Sequence, residues 1–405
     1  MFQEYFENIQ RDYLSDSDSS EHSYRTYLQN LLSRFVTEKT NRELIIKHEP
    51  TAHSTKSRPD FKVTTTFQLT IGLIETKKIG TELSKLLSSE QLERYNNLSE
   101  NIILTDYLSF FLLKNGEIIF DTSLFSEYQL EKKHFKLEKT RIEEMSKLFQ
   151  QFFESEPTPI FTTNDLAVKL SRKARFLNEF AFQELENTDD EMNLLYSIYG
   201  AFKESLLPLM DKKYFADIYA QTIAYGLFLA ALNTNAPRTE LNKVTSYSLI
   251  PSNFPLIKDL FHRLDDFPAD VVWAVDEVIS VLKAVDFFTI KQEFAKYRSA
   301  GNGFSDPFVY FYEDFLKEYD KTQREIRGVY YTPEPVVSFI VRSVEEILKE
   351  KFLLHDGFLD KRVTVLDFAC GTGTFLLHVF KLALESCTKY GDKVLANRLL
   401  NESML

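Results

Sequence analysis

Arg58-Pro59-Asp60-Phe61-Lys62-Val63 and, fourteen residues beyond Asp60, Ile74-Glu75-Thr76-Lys77-Lys78 form the stretch that decides the fold. Pro59–Thr66 and Phe67–Lys77 are short and rich in β-branched and aromatic residues, so both read as strands. Side chains alternate along a strand, so Glu75 and Lys77 point to one face, with Ile71 and Leu73 on the same face nearer its start. A face that turns from apolar to Glu and Lys at its end predicts a site at the rim of a sheet. With Asp60 on the adjacent strand, two carboxylates and one ammonium converge there.

Working outward, residues 2–14 read as a helix, and the run Ser15-Asp16-Ser17-Asp18-Ser19-Ser20 as a turn with Ser20 as N-cap. Tyr24, Tyr27, Leu28, Leu31, Leu32 and Phe35 recur at helical spacing. Arg42–His48 is a predicted strand, Thr81–Ser99 a helix, and Asn101–Thr105, Tyr107–Lys114 and Glu117–Phe120 are strands, with Asn115-Gly116 as a hairpin turn. Residues 1–145 therefore form an α/β domain with a mixed sheet. From 146 to 300 the helical period dominates and predicts an all-α connector, with helices over Ile142–Phe153, Leu166 to Phe180, Leu194–Met210 and Tyr214–Leu232. Gly301 and Gly303 mark a boundary before a third part, residues 301–405.

Composition narrows the class. Of 405 residues, 44% are hydrophobic and 27% charged, which is a globular balance. Cys370 and Cys387 are too few for a disulfide framework or a usual zinc site and fit a reducing compartment. The start lacks the basic-then-apolar order of a signal peptide, and the apolar run Ile223–Leu232 is shorter than the ~20 residues of a membrane span. A cytoplasmic protein with no membrane partner is expected. The net charge of −12 opposes nucleic-acid binding taken alone, but a metal-dependent nuclease site is itself acidic.

Two carboxylates suit Mg²⁺, a hard ion that prefers oxygen. Such an ion acidifies a bound water and offsets charge growing on a phosphodiester. Lys77 is placed to orient that water or stabilise that charge. Asp60 with Glu75-x-Lys77 resembles the PD-(D/E)xK nuclease signature, with Pro59 supplying the proline. Gln91-Leu92-Glu93-Arg94-Tyr95 resembles the Q-x-x-x-Y element of its RecB-like branch, and Gln91 and Tyr95 share a helix face. Glu21, in Glu21-His22-Ser23-Tyr24-Arg25, resembles the branch's first-helix glutamate. The resemblance implies Asp60, Glu75, Lys77 and Gln91 as catalytic residues and Glu21, Asp60 and Glu75 as metal ligands. A Glu at a helix start has a competing role, since it complements the macrodipole there.

A second constellation lies at Arg362-Val363-Thr364-Val365-Leu366-Asp367-Phe368-Ala369-Cys370-Gly371-Thr372-Gly373-Thr374-Phe375. It predicts a strand over Val363–Leu366, a glycine turn and a helix to Tyr390, which places a ligand at the strand's carboxyl end. No G-x-x-x-x-G-K-[ST] phosphate loop occurs. Asp367 to Phe375 resembles motif I of class I N6-adenine DNA methyltransferases. Gly328-Val329-Tyr330-Tyr331-Thr332-Pro333 resembles motif X of that family. The resemblance implies S-adenosylmethionine bound through Tyr331, Thr332, Pro333, Asp367, Ala369, Gly371, Gly373 and Phe375, with Cys370 buried under the turn.

The aromatic-rich segments beginning at Phe215 and Phe308 are similar to the connector of single-chain enzymes that fuse nuclease to methyltransferase. The order of parts resembles type IIG restriction-modification enzymes, which implies double-stranded DNA as partner. The Asn/Asp-Pro-Pro-aromatic loop of that methyltransferase family is missing, and one strand stands without neighbours. A chain cut short after motif I, with cofactor binding weak or absent and a second polypeptide completing the methyltransferase, is therefore expected.

Overall fold

The computed structural model describes residues 1–15, 21–48, 58–132, 135–233, 240–250, 255–300, 307–320, 332–370 and 373–390. Two compact units emerge: Met1–Phe161 with Val168–Phe287, and Thr162–Ala167 with Phe288–Leu405. The expected cap Ser20, the boundary glycines Gly301 and Gly303, Tyr331 and Gly371 lie outside the described residues.

The first unit opens with helices α1 (Phe2–Leu14) and α2 (Glu21–Lys39), then strands β1 (Leu44–His48), β2 (Phe61–Thr65) and β3 (Thr70–Thr76). Helix α3 (Glu90–Leu98) leads to β4 (Asn101–Thr105), β5 (Ser109–Lys114) and β6 (Glu117–Ser123), followed by α4 (Glu127–Leu130) and α5 (Lys139–Phe153). The six strands form one sheet in sequence order. Strands β3 and β4 run parallel, and the other neighbours are antiparallel.

A parallel step needs a crossover, and the segment from Lys77 to Glu100, including α3, supplies it. Thr76 and Thr105 thus end at the same edge of the sheet. Lys77 N–H donates to the Thr105 carbonyl at 2.7 Å, one step beyond the strand.

The expected helix over Thr81–Ser99 is instead a 3₁₀ turn, Leu83–Leu86, and the shorter α3. Ser89 caps α3, accepting from Leu92 N at 3.2 Å. Strand β3 starts later than expected because Thr65 and Leu69 close a tight hairpin with Gln68 at φ 63°. Asn115 (φ 51°) and Gly116 (φ 83°) form the β5–β6 turn, where both positions need the left-handed region.

One sheet face packs on α1, α2 and α5. Phe6, Leu28, Phe35, Phe61, Ile74, Ile103, Phe110, Phe149 and Phe152 are buried together. Each such side chain contributes about 1.5–3 kcal/mol of burial. Edge-on rings such as Phe35 and Phe149, 5.3 Å apart at 79°, fix their mutual orientation.

The helical part comprises α6 (Thr163–Asn187), α7 (Leu194–Ser205), α8 (Lys212–Asn233), α9 (Lys243–Leu249), α10 (Pro255–His262), α11 (Ala269–Lys283) and α12 (Phe287–Ala300). Helix α7 stops before the expected Met210, as Pro208 cannot continue it. Helix α8 is long and apolar enough to cross a membrane, but Phe215, Tyr219, Ile223, Leu227 and Phe228 are buried inside the protein, so it is a core helix.

The second unit contains α12 from Phe288 on, α13 (Pro307–Tyr319), α14 (Glu334–Glu350) and α15 (Thr374–Tyr390). Glu345 of α14 accepts from Phe358 N at 2.8 Å and pairs with Lys349 at 2.6 Å. The strand expected over Val363–Leu366 does not form. No strand among the described residues pairs with it, so its backbone has no ladder. Leu366 is 82% exposed and Phe368 94%.

Candidate functional site

The end of β3 gathers the residues that the first constellation singled out. Burial pushes the Glu75 acid up to about 7, helped by the negative charge of nearby Asp60 and opposed by the Lys77 ammonium. Lys77 Nζ donates to Glu75 Oε1 at 2.6 Å and to Gln91 Oε1 at 2.8 Å. Gln91 Nε2 donates to Glu75 Oε1 at 3.0 Å and to the Tyr95 hydroxyl oxygen at 2.9 Å. The Tyr95 hydroxyl in turn donates to the Arg58 carbonyl at 2.9 Å. Burial and the Glu75 charge raise Tyr95 far above its ordinary value, so it stays neutral and remains a donor.

This network has one consistent direction. The Gln91 amide can accept from Lys77 and donate to Glu75 and Tyr95 only in one orientation. The four-residue step from Gln91 to Tyr95 on α3 puts both over the end of β3. Glu75 Oε2 is buried and takes no hydrogen bond.

Asp60 stands just before β2 and reaches the neighbouring strand end. Its Oδ2 accepts from Thr76 N at 2.8 Å and from the Thr76 hydroxyl at 2.5 Å. Its Oδ1 pairs with Arg25 Nη2 at 2.8 Å. Arg25 and Thr76 were not singled out from the sequence as site residues. Arg25 could have been, since it lies four residues after Glu21 on the same helix. The Glu21 side chain is not among those described. Among the described residues no group of three or more His, Cys, Asp or Glu side chains is arranged to hold a metal ion.

The second constellation is laid out in the second unit. Pro333, with φ −54°, caps α14, and Thr332 beside it is exposed. Asp367 Oδ1 accepts from Ala369 N at 3.1 Å, while its Oδ2 is buried without a partner. Gly373 has φ +74°, a conformation that favours glycine; its N–H donates to the Cys370 carbonyl at 2.7 Å. Its carbonyl accepts from Leu377 N at 2.8 Å, starting α15, on which Phe375 is half-buried. Cys370 is exposed rather than buried, because no layer among the described residues covers the turn.

Residues 304–395 match the N-6 DNA Methylase family model. Among curated proteins none matches. A solved structure, "cryoEM structure DrdV-DNA complex", is similar at 20% identity with a TM-score of 0.37, over 95% of this chain and 35% of that one. The chain thus spans about a third of that structure's length.

Proposed function

We propose that the chain is a restriction-modification polypeptide of the type IIG kind. In this reading the N-terminal sheet carries a PD-(D/E)xK-like site for Mg²⁺-dependent hydrolysis of double-stranded DNA. Residues 304–395 belong to its N6-adenine methyltransferase. The observation that carries the nuclease half is the Glu75–Lys77–Gln91–Tyr95 network at the end of β3, beside the Asp60 carboxylate.

The donor set fits a hard divalent ion. A buried, unpartnered carboxylate oxygen on Glu75 is a costly group unless something binds it. Asp60 and Glu75 would hold the ion, which when bound acidifies a water and offsets charge on the phosphorus oxygens. Lys77, fixed by Glu75 and Gln91, holds a positive charge and donatable protons at the strand end. Gln91 and Tyr95 keep that ammonium in one position, so little reorganisation is needed when charge develops. Arg25 and Lys77 balance Asp60 and Glu75, so the site is near neutral on its own. The added charge of a divalent ion is then offset by a phosphodiester, which favours joint binding of ion and DNA.

Nicking of supercoiled plasmid by the chain with MgCl₂ tests this reading. Nicking should vanish in Asp60→Ala and in Lys77→Ala. A wild-type chain that leaves the plasmid intact overturns it.

The methyltransferase half supports a second reading, a subunit or remnant that needs further methyltransferase strands on another polypeptide. Exposed Leu366 and Phe368, and a Val363–Leu366 segment with no strand partner among the described residues, favour it. Asp367, with its free buried oxygen, and Gly373 fit S-adenosylmethionine, and the family resemblance adds Tyr331, Thr332, Pro333, Ala369, Gly371 and Phe375 as further cofactor positions. Calorimetry with S-adenosylmethionine should give weak or no binding to the chain alone, and tighter binding when a polypeptide carrying those strands is added.

A further inference from the structure

Helix α11 carries Asp270, Trp273 and Glu277 at steps of three and four, which puts them on one face. That face grips the two residues flanking Asp60 at a distance of two positions. Arg58 forms an ion pair with Asp270, and its guanidinium carbon lies 5.6 Å from the centre of the Trp273 ring. Lys62 forms an ion pair with Glu277, and its ammonium lies 5.9 Å from the same ring. The second Glu277 oxygen binds Lys173 at 2.7 Å. Lys173 also donates to the Leu98 carbonyl at 2.6 Å, at the end of the helix that carries Gln91 and Tyr95. The Arg58 carbonyl, finally, is where the Tyr95 hydroxyl ends.

Stability is a poor reason to bury so many charges. The desolvation cost of buried pairs commonly cancels their attraction, and apolar residues of similar volume hold a fold as well. What paired charges add is direction. Here they fix the backbone on both sides of Asp60 and tie it to the helix that orients Lys77.

The geometry points to Asp270 and Glu277 as positioning residues: α11 clamps Arg58 and Lys62 and thereby sets where the Asp60 carboxylate stands relative to Glu75. This rests on the nuclease reading of the site. It makes the helical part of the first unit a component of the cleavage apparatus, since neither acid touches the reacting atoms. Trp273 is the only tryptophan in the chain, so its emission reports on the clamp.

Two measurements on the full chain test the inference: the MgCl₂ midpoint for plasmid nicking, and Trp273 emission during a CaCl₂ titration. Asp270→Asn should raise the MgCl₂ midpoint by about 10-fold or more, the range for residues that support metal ligands, and Asp270→Glu should recover part of it. A merely structural role would lower the melting temperature and leave that midpoint unmoved. CaCl₂ should shift Trp273 emission in the wild-type chain and not in Asp60→Asn. Glu277→Gln leaves two buried ammoniums without a counter-charge and risks misfolding, so the Asp270 variants carry the test. Nicking that needs Asp60, with a wild-type MgCl₂ midpoint in both Asp270 variants or with Trp273 emission unmoved by CaCl₂, overturns the positioning role alone. A wild-type chain that neither nicks nor shifts its emission overturns the nuclease reading and this inference with it.

Discussion

Arg25 Nη2 stands 2.8 Å from Asp60 Oδ1, joining α2 to the strand that carries the candidate site, and both side chains are largely out of solvent. The pair is a structural tie and also a rival for any cation that Asp60 could bind. Arg25→Met should lower stability by about 3 kcal/mol, the cost of leaving a buried carboxylate without its partner. It should also tighten Ca²⁺ binding, because a competing positive charge has gone. Urea unfolding and Ca²⁺ calorimetry read the two effects, and unchanged Ca²⁺ affinity removes Arg25 from the site.

Gln91 joins Lys77, Glu75 and Tyr95 through one side chain. Gln91→Ala should slow Mg²⁺-dependent nicking by about 10–100-fold, as for other groups that orient a metal-site residue. Its stability cost should be only about 1–3 kcal/mol, from partners left unsatisfied. Initial nicking rates at saturating MgCl₂ check the first figure. A rate within twofold of wild type would mean that the network is packing only.

Glu277 gives a pH signature. Burial raises its acid, but the ammoniums of Lys173 and Lys62 overcome that and bring it down from 4.5 to about 2. Burial lowers Lys173, and the Glu277 carboxylate lying against it opposes that. A depressed carboxylate stabilises the fold above its unfolded value and loses that contribution as pH falls through its folded value. That contribution is present above about pH 4.5 and fades toward about pH 2. The stability gap between wild type and Glu277→Gln should therefore be largest near neutrality and shrink below pH 4. Denaturation series at several pH values measure it, and a constant gap would contradict the ionised cluster.

Leu366 and Phe368 are exposed apolar side chains on a segment with no sheet partner among the described residues. Leu366→Ser with Phe368→Ser should reduce binding of an apolar fluorescent dye, with stability changed by less than about 0.5 kcal/mol. A large loss of stability would show that these residues are packed in solution.

Much of the sheet was legible because strand parity and turn chemistry are local. Glu75 and Lys77 follow from alternation, and the Asn115-Gly116 turn follows from the left-handed conformation that both positions need. Gln91 and Tyr95 follow from helical spacing. Thr76, Asp270 and Glu277 were not legible, because each acts through a partner on another segment of the chain. The expected strand at Val363–Leu366 failed for a related reason: its pattern is right for a buried strand, but strands exist only where a neighbour takes their hydrogen bonds.

The sequence by itself determined which side chains share a face, where turns fall and which residue types could hold a hard ion or a cofactor, since these depend on the geometry of a few consecutive residues. Only the tertiary structure decided that Asp60 lies on Thr76, that Arg25 occupies its second oxygen and that α11 grips the residues on either side. Contacts between elements, from 16 to 215 residues apart in the chain, depend on how whole elements pack, and no local period encodes that.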